Sequence, residues 1–361
     1  MAGRHVTSSL VPPPRHVISS SAPRYVATLL VAVIATGLGA IKGSAGHPSP
    51  VAPRPAGVRL TMVVAPQVVP HLPATRPPVR RTLRPHPHVV RHPARRVSRW
   101  LPTGTGMWLH QFGNSQGGNP RAIVARAKAA GLTHLFVQTG SSKKGAIGGP
   151  SLRALLPATK GSRIRVIAWD FAALHDPIGD ARRLAAAARF HCGGCPRVAA
   201  VAPDVETAAE GTAINMHTVI VYYTELRHRL PADVSILATV PWPSELRRGH
   251  YPYASTAKRA DAMLPMAYWY NRSPAVVTAM SMTYLRQFHK PVMPVGQGYD
   301  GRLDAPYLAA DPHPYASVAA FLHTARRYGA RAVSLWSWET TGSQQWRALV
   351  KGRLIYRAPL S

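Results

Sequence analysis

The chain has 361 residues, with 44 Lys plus Arg against 14 Asp plus Glu, a formal net charge of +30 and 46% apolar residues. It is too long for a mini-protein and too apolar for a wholly disordered chain, and its charge predicts an anionic neighbour without naming a reaction. The two cysteines stand in one tetrapeptide, Cys192-Gly193-Gly194-Cys195, which excludes a disulfide framework and supplies only half of a four-ligand zinc site.

Residues 1–24 form a basic N-terminal segment. No Asp or Glu occurs before Asp170, whereas residues 1–100 hold 14 Lys or Arg. Residues 25–41, YVATLLVAVIATGLGAI, are an uncharged run preceded by Arg4, Arg15 and Arg24 and closed by Lys42. That length is the lower limit for a membrane-spanning helix and slightly beyond a cleavable signal core. A transmembrane anchor and a signal cut near the small residues 43–46 therefore both stay open, and either implies an extracytoplasmic protein, membrane-anchored or secreted. Residues 42–100 read as a disordered linker rich in Pro, Arg and His: 12 Pro, 10 Arg and 5 His fall between 43 and 100. Such a stretch buries no core and favours extended, polyproline-like segments. It suits a solvated spacer or adhesion to an anionic envelope polymer; nucleic acid is not expected as a partner, because no aromatic residues are interleaved for base stacking.

From 101 to 361 the composition is that of one folded domain, expected to be monomeric. Eight short apolar, β-rich runs occupy 107–112, 134–139, 165–170, 198–204, 235–241, 262–267, 292–298 and 332–338. Amphipathic, helix-like stretches at 120–130, 178–190, 212–228, 274–288 and 314–328 alternate with them, several opening on Pro and two followed by the cap-like Gly131 and Gly329. Strand–helix alternation means parallel strands with crossover helices, and eight units point to a closed (β/α)8 TIM barrel in the α/β class. A doubly wound sheet is the alternative, but FGNSQGGNP, not a GxGxxG, follows the first run.

Barrel chemistry sits at the carboxyl ends of the strands. Those ends carry Gln111, Gln138, Trp169, Asp170, Asp204, Glu206, Trp242, Tyr268, Trp269, Gln297, Tyr299, Trp336, Trp338 and Glu339. The sharpest feature is VAAVAPDVET, where an apolar strand exits into Asp204-Val205-Glu206. With period-2 alternation both carboxylates point the same way, and their proximity would keep one protonated near neutrality, ready to act as a general acid. A solvated pair at a strand end is the alternative. The Trp and Tyr side chains offer flat faces for pyranose rings, and the glutamines could hydrogen-bond hydroxyls or amides. No cofactor or metal is expected: GNSQGG at 113–118 lacks the Lys and Ser/Thr of a phosphate loop, and neither HExxH nor GxSxG occurs.

In these motifs the region 107–346 resembles the glycoside-hydrolase barrels of family 18 chitinases and family 25 lysozymes. Those families carry an acidic D-x-E after the fourth strand, here Asp204-Val205-Glu206; family 18 has M-x-Y after the sixth, here Met266-Ala267-Tyr268; the eighth often ends in Trp, here Trp336. The resemblance implies that Glu206 protonates the glycosidic oxygen of an N-acetylhexosamine polymer such as peptidoglycan or chitin. Asp204 would orient the substrate's N-acetyl group for attack on the anomeric carbon, with Tyr268 holding that group. The longer family 18 signature would place acids where this chain has Ala199 and Ala202, and an Asp where it has Trp269.

Three functions are therefore carried forward: a glycoside hydrolase, a catalytically inactive barrel that binds cell-wall glycan, and a basic nucleic-acid-associated protein. Cys192 and Cys195 fall between the third helix and the fourth strand, away from the barrel mouth. In an oxidising compartment they are expected to form a short disulfide rather than a redox site, since the pair follows a helix instead of opening one.

Overall fold

The computed structural model describes residues 98–356; the basic segment 1–24, the apolar run 25–41 and the linker as far as Val97 lie outside the described residues. Among the described residues nine strands form one sheet: β1 (Gly104–Leu109), β2 (His134–Ser141), β3 (Gly145–Ala146), β4 (Arg165–Phe171), β5 (Ala200–Asp204), β6 (Ser235–Pro241), β7 (Ala262–Ala267), β8 (Val295–Gln297) and β9 (Ala332–Trp336). Their order is β1-β9-β8-β7-β6-β5-β4-β2-β3, and a further pairing of β1 with β2 closes the ring. All pairings are parallel except that of the two-residue β3 with β2. The molecule is thus a (β/α)8 barrel with a small hairpin on its second strand.

Nine helices surround it among the described residues: α1 (Pro120–Ala129), α2 (Gly149–Ala158), α3 (Pro177–Ala188), α4 (Met216–Arg229), α5 (Glu245–His250), α6 (Tyr253–Arg259), α7 (Pro274–Arg286), α8 (Pro314–Arg327) and α9 (Ser343–Gly352). Their starts are written in the sequence. Asn119, Asp176, Asn215 and Ser273 accept backbone N–H groups at the starts of α1, α3, α4 and α7, and Pro occupies the first turn of α1, α3, α7 and α8. Gly131 (φ +72°) and Gly329 (φ +78°) turn the chain after α1 and α8. The α2 helix has no counterpart in the sequence reading, because Pro150 and Pro157 within GPSLRALLPA interrupt the helical pattern. The first strand starts and ends three residues earlier than its apolar run.

Side-chain alternation sorts the strands into two cores. On β4, Val166 and Ala168 point out to the layer beneath the helices, while Ile167 and Trp169 point into the barrel with Trp108, Phe136, Ala200, Ala202, Leu237, Ala262, Leu264 and Ala332. The inward alanines leave room for three large rings: Trp108 stacks on Phe136 at 4.1 Å and meets Trp169 edge-on at 5.6 Å. Below them His134 is buried, and desolvation lowers its pKa to about 3, so it is neutral. Gly106 is required beside it, since a Cβ there would lie 2.2 Å from the His134 ring. Trp100 and Leu101 pack against the inner core, and Ser235 Oγ donates to the Trp100 carbonyl. These contacts close the end at which the strands begin, and the opposite end is the mouth. Cys192 and Cys195 are disulfide-bonded in the loop between α3 and β5, at the closed end. Among the described residues no helix is long and apolar enough to cross a membrane.

Candidate active site

The β5 strand carries the inward residues Ala200 and Ala202 into Asp204, and the same parity sends Glu206 to the mouth, whereas Val201 and Val205 lie in the outer core. Ala202 is fully buried beneath Asp204, so the mouth holds two carboxylates on this strand and no third. Asp204 is 5% exposed, and its Oδ1 is buried with no hydrogen-bond partner. Burial raises its pKa to about 7, with Asp170 and Glu210 adding to the shift. Glu206, half-buried and without a hydrogen bond among the described residues, is raised well above the carboxylate range. Burial is the main cause; Asp204, Glu210 and Asp304 add to it, and Arg247 opposes it. Both groups therefore hold protons at a pH where an ordinary carboxyl has none.

Tyr268, half-buried at the end of β7, shares this space. Its hydroxyl is pushed up by burial and then by Asp204 and Glu206. Behind it stands a network that sequence reasoning did not assemble. Asp304 accepts hydrogen bonds from Tyr299 at 2.5 Å and Tyr270 at 3.2 Å, and the Tyr299 ring packs edge-on against Tyr268 at 5.7 Å. Gln297 is buried here, accepting the Tyr270 N–H at 2.7 Å and donating to the Tyr299 carbonyl at 3.1 Å. Gln297 and Tyr299 thus fix the loops that support Tyr268, and their polar groups are already engaged.

The other residues at strand ends divide sharply. Trp336 lines the mouth, 5.3 Å from Trp169 and 5.3 Å from His110. Trp169 itself is 2% exposed and donates to the Leu109 carbonyl, so it forms the floor rather than a ligand platform. Gln138 is half-buried, its side chain without a hydrogen bond among the described residues. Gln111 is exposed, its side chain accepting from Asn114. Trp242 is half-buried, flanked by the guanidinium groups of Arg272 at 5.7 Å and Arg247 at 6.0 Å. Glu339 Oε1 accepts from the Gln111 N–H at 2.8 Å and Ser115 Oγ at 2.9 Å, tying the last loop to the first.

Three residues expected at the mouth are elsewhere. Asp170 points outward from β4 and is held in a bidentate pair by Arg183 of α3, at 2.6 and 2.7 Å. Trp269 and Trp338 are buried in the outer core, against Phe321 and Trp346 respectively. Alternation explains the first two, for each is one residue out of step with an inward neighbour, Trp169 and Tyr268. Trp338 shares the parity of the inward Trp336 yet lies in the outer core, so the alternation breaks after β9.

His110 was missed. It is the inward residue after Trp108, beside Trp169 and Trp336, and burial lowers its pKa, with Glu339 opposing and Lys144 assisting. Counting alternation from Trp108 instead of from the end of the apolar run would have found it. Among the described residues no group of three His, Cys, Asp or Glu side chains is placed to hold a metal ion.

No protein-family model matches the chain, and no curated protein does. Solved structures do. A GH113 β-1,4-mannanase superposes with a TM-score of 0.52 at 9% identity, over 70% of this chain and 98% of that one. A GH99 endo-α-mannosidase from Bacteriodes thetaiotaomicron gives 0.50 at 11% identity, over 72% and 97%. A chitinase from Chromobacterium violaceum gives 0.48 at 15% identity, over 70% and 99%. At such identities the likeness is one of fold alone, a (β/α)8 barrel.

Proposed function

We propose that the protein is a glycosidase that cleaves an N-acetylhexosamine polysaccharide, peptidoglycan or chitin-like, with Glu206 as general acid. The observation that carries this reading is the inward pair Asp204 and Glu206 at the end of β5, both raised in pKa and both facing Tyr268. Glu206 gives its proton to the glycosidic oxygen as the bond from that oxygen to the anomeric carbon breaks. With Asp204 ionised and Glu206 protonated, the substrate's own acetamido oxygen bonds to the anomeric carbon, and Asp204 accepts the acetamido N–H and offsets the positive charge that develops there. Tyr268 holds the acetamido group. Water then attacks the same carbon as its bond to the acetamido oxygen breaks, and the water's proton passes to Glu206. Trp336 and Trp242 offer faces for sugar rings on either side.

An extracytoplasmic location, through residues 25–41 as an anchor or a cleaved signal, would put the barrel where such polymers occur. A second reading, an inactive barrel that binds the same glycan, is favoured by Ala199 and Ala202 in place of acids. Incubating the protein with peptidoglycan and with chitin oligomers separates the two. New reducing ends are expected; retention of the glycan without new ends supports the second reading, and neither result leaves the glycan assignment without support.

A further inference from the structure

Charge on this barrel is divided between its ends. At the closed end the described residues hold three acids, Glu225, Asp233 and Asp261, all on the segments leading into β6 and β7. Two are already taken: Glu225 pairs with Arg229, and Asp261 with Arg99 and Arg227. In the sheet order β9, β1, β2, β4 and β5 are consecutive neighbours, and among the described residues no acid stands at the closed end of any segment leading into them, Asp180 lying in the first turn of α3 on the mouth side. That arc instead exposes Lys128, Lys160, Arg165, Arg197, Arg327 and Arg331, none with an acidic partner among the described residues.

Helix ends alone do not account for this. Cations favour the last turn of a helix, where unpaired carbonyls gather, yet α2 and α3 have none there, and Lys160, Arg165, Arg197 and Arg331 stand beyond the helices. Nor is the face apolar. Of the nine exposed large hydrophobic side chains among the described residues, Leu354 alone is at the closed end; the rest, such as Met216, Leu246 and Tyr307, ring the mouth. A face that is cationic and poor in exposed apolar groups suits adsorption to headgroups rather than insertion.

The chain itself also arrives on this side. Arg99 donates to the Ala232 carbonyl at 2.9 Å, so residues 98–103 cross the closed end, and everything before them, including the apolar run 25–41, is attached there. We infer that the acid-free arc docks the barrel on an anionic lipid bilayer, closed end toward the headgroups and mouth turned away. The inference does not depend on the chemistry at the mouth.

Hydrogen exchange of the full chain tests it, on vesicles of phosphatidylglycerol mixed with phosphatidylcholine and on vesicles of phosphatidylcholine alone. The amides of 159–165, 189–199 and 328–331 are expected to exchange severalfold more slowly on the anionic vesicles, and added salt should erase the difference. The full chain carrying Lys128→Glu, Lys160→Glu, Arg197→Glu and Arg331→Glu should lose the protection while melting at the wild-type temperature, since these side chains have no partner to lose. Retention through residues 25–41 or adsorption of the linker acts on both proteins alike and does not protect the barrel's own amides. Equal protection on both kinds of vesicle, or protection confined to the mouth loops, would overturn the inference. So would protection by soluble polyphosphate without protection by anionic vesicles, which would make a polymer the occupant.

Discussion

Asp170 and Asp204 end neighbouring strands, in register one residue apart, since Asp170 pairs with Pro203 and Phe171 with Asp204. Both are buried, and both are raised in pKa, to about 6 and about 7. Yet Asp170 faces outward with each oxygen on Arg183, which also holds Asp180 at 2.8 Å, whereas Asp204 faces the mouth with an oxygen that has no partner. For Asp170, burial pushes the pKa up and the Arg183 hydrogen bonds and charge pull it back, and the bidentate contact keeps the pair ionised at neutral pH. For Asp204 nothing cationic opposes the shift. A buried carboxylate whose lone pairs are satisfied is part of the scaffold. One left unsatisfied beside a second carboxylate is poised to exchange protons or bind a ligand.

The contrast predicts its largest effect at Glu206, the inward partner of Asp204. Glu206→Gln keeps the shape of the side chain but cannot donate a proton, and should lower the rate of glycan cleavage by about 10^3-fold with an unchanged melting temperature. Equal hydrolysis by the wild type and the variant would remove Glu206 from the mechanism.

At Asp170 the effect should fall on stability instead. Asp170→Asn leaves the buried Arg183 charge short of one partner, which costs on the order of 3–5 kcal/mol. Thermal melting should show the loss, while turnover per folded molecule stays near the wild-type value. A variant that melts normally but fails to cleave would reverse the roles assigned to the two aspartates.

Much of this was legible in the sequence, and what was not has physical causes. Eight strand-like runs specified the closed barrel because apolar periodicity is set by burial on both faces of a parallel strand. The parity of Asp204 and Glu206 followed from the strand repeat alone. Asp170 misled because its outward position depends on where β4 ends, a boundary that periodicity leaves open by a residue. The Asp304–Tyr270–Tyr299 network was invisible because its members come from two different loops, brought together only by the pairing of β7 with β8.

Stability should also depend on pH in a direction opposite to that of a paired carboxylate. Asp204 has a folded-state pKa near 7, against about 4 in an unfolded chain. The folded state therefore binds its proton more tightly. Above about pH 7 the ionised group destabilises the fold, and the cost is relieved as the pH falls through 7 toward 4. The wild type should melt at a higher temperature at about pH 5 than at about pH 8. Asp204→Asn should raise the melting temperature at about pH 8 and flatten the profile, the effect being at most a few kcal/mol at about 1.4 kcal/mol per pKa unit. An unaltered profile in Asp204→Asn would show that the site is wetter than the geometry implies.

The smallest effect divides two tyrosines whose rings touch. Tyr299 donates to Asp304 at 2.5 Å, at the base of the β8 loop where Tyr299 is buried. The Tyr268 hydroxyl has no hydrogen-bond partner among the described residues and stands beside Asp204 and Glu206. Tyr299→Phe should cost about 1.5–3 kcal/mol of stability, because Asp304 keeps only the longer bond from Tyr270. Tyr268→Phe deletes a hydroxyl that supports nothing in the fold, so its melting temperature should stay within about 1 kcal/mol of the wild type. Its cost should appear in cleavage, about tenfold and mainly in kcat, as for a group that acts on the substrate during reaction. If instead Tyr268→Phe melts lower and cleaves normally, that hydroxyl belongs to the scaffold with Asp170 and Tyr299. The inward site would then shrink to its two carboxylates.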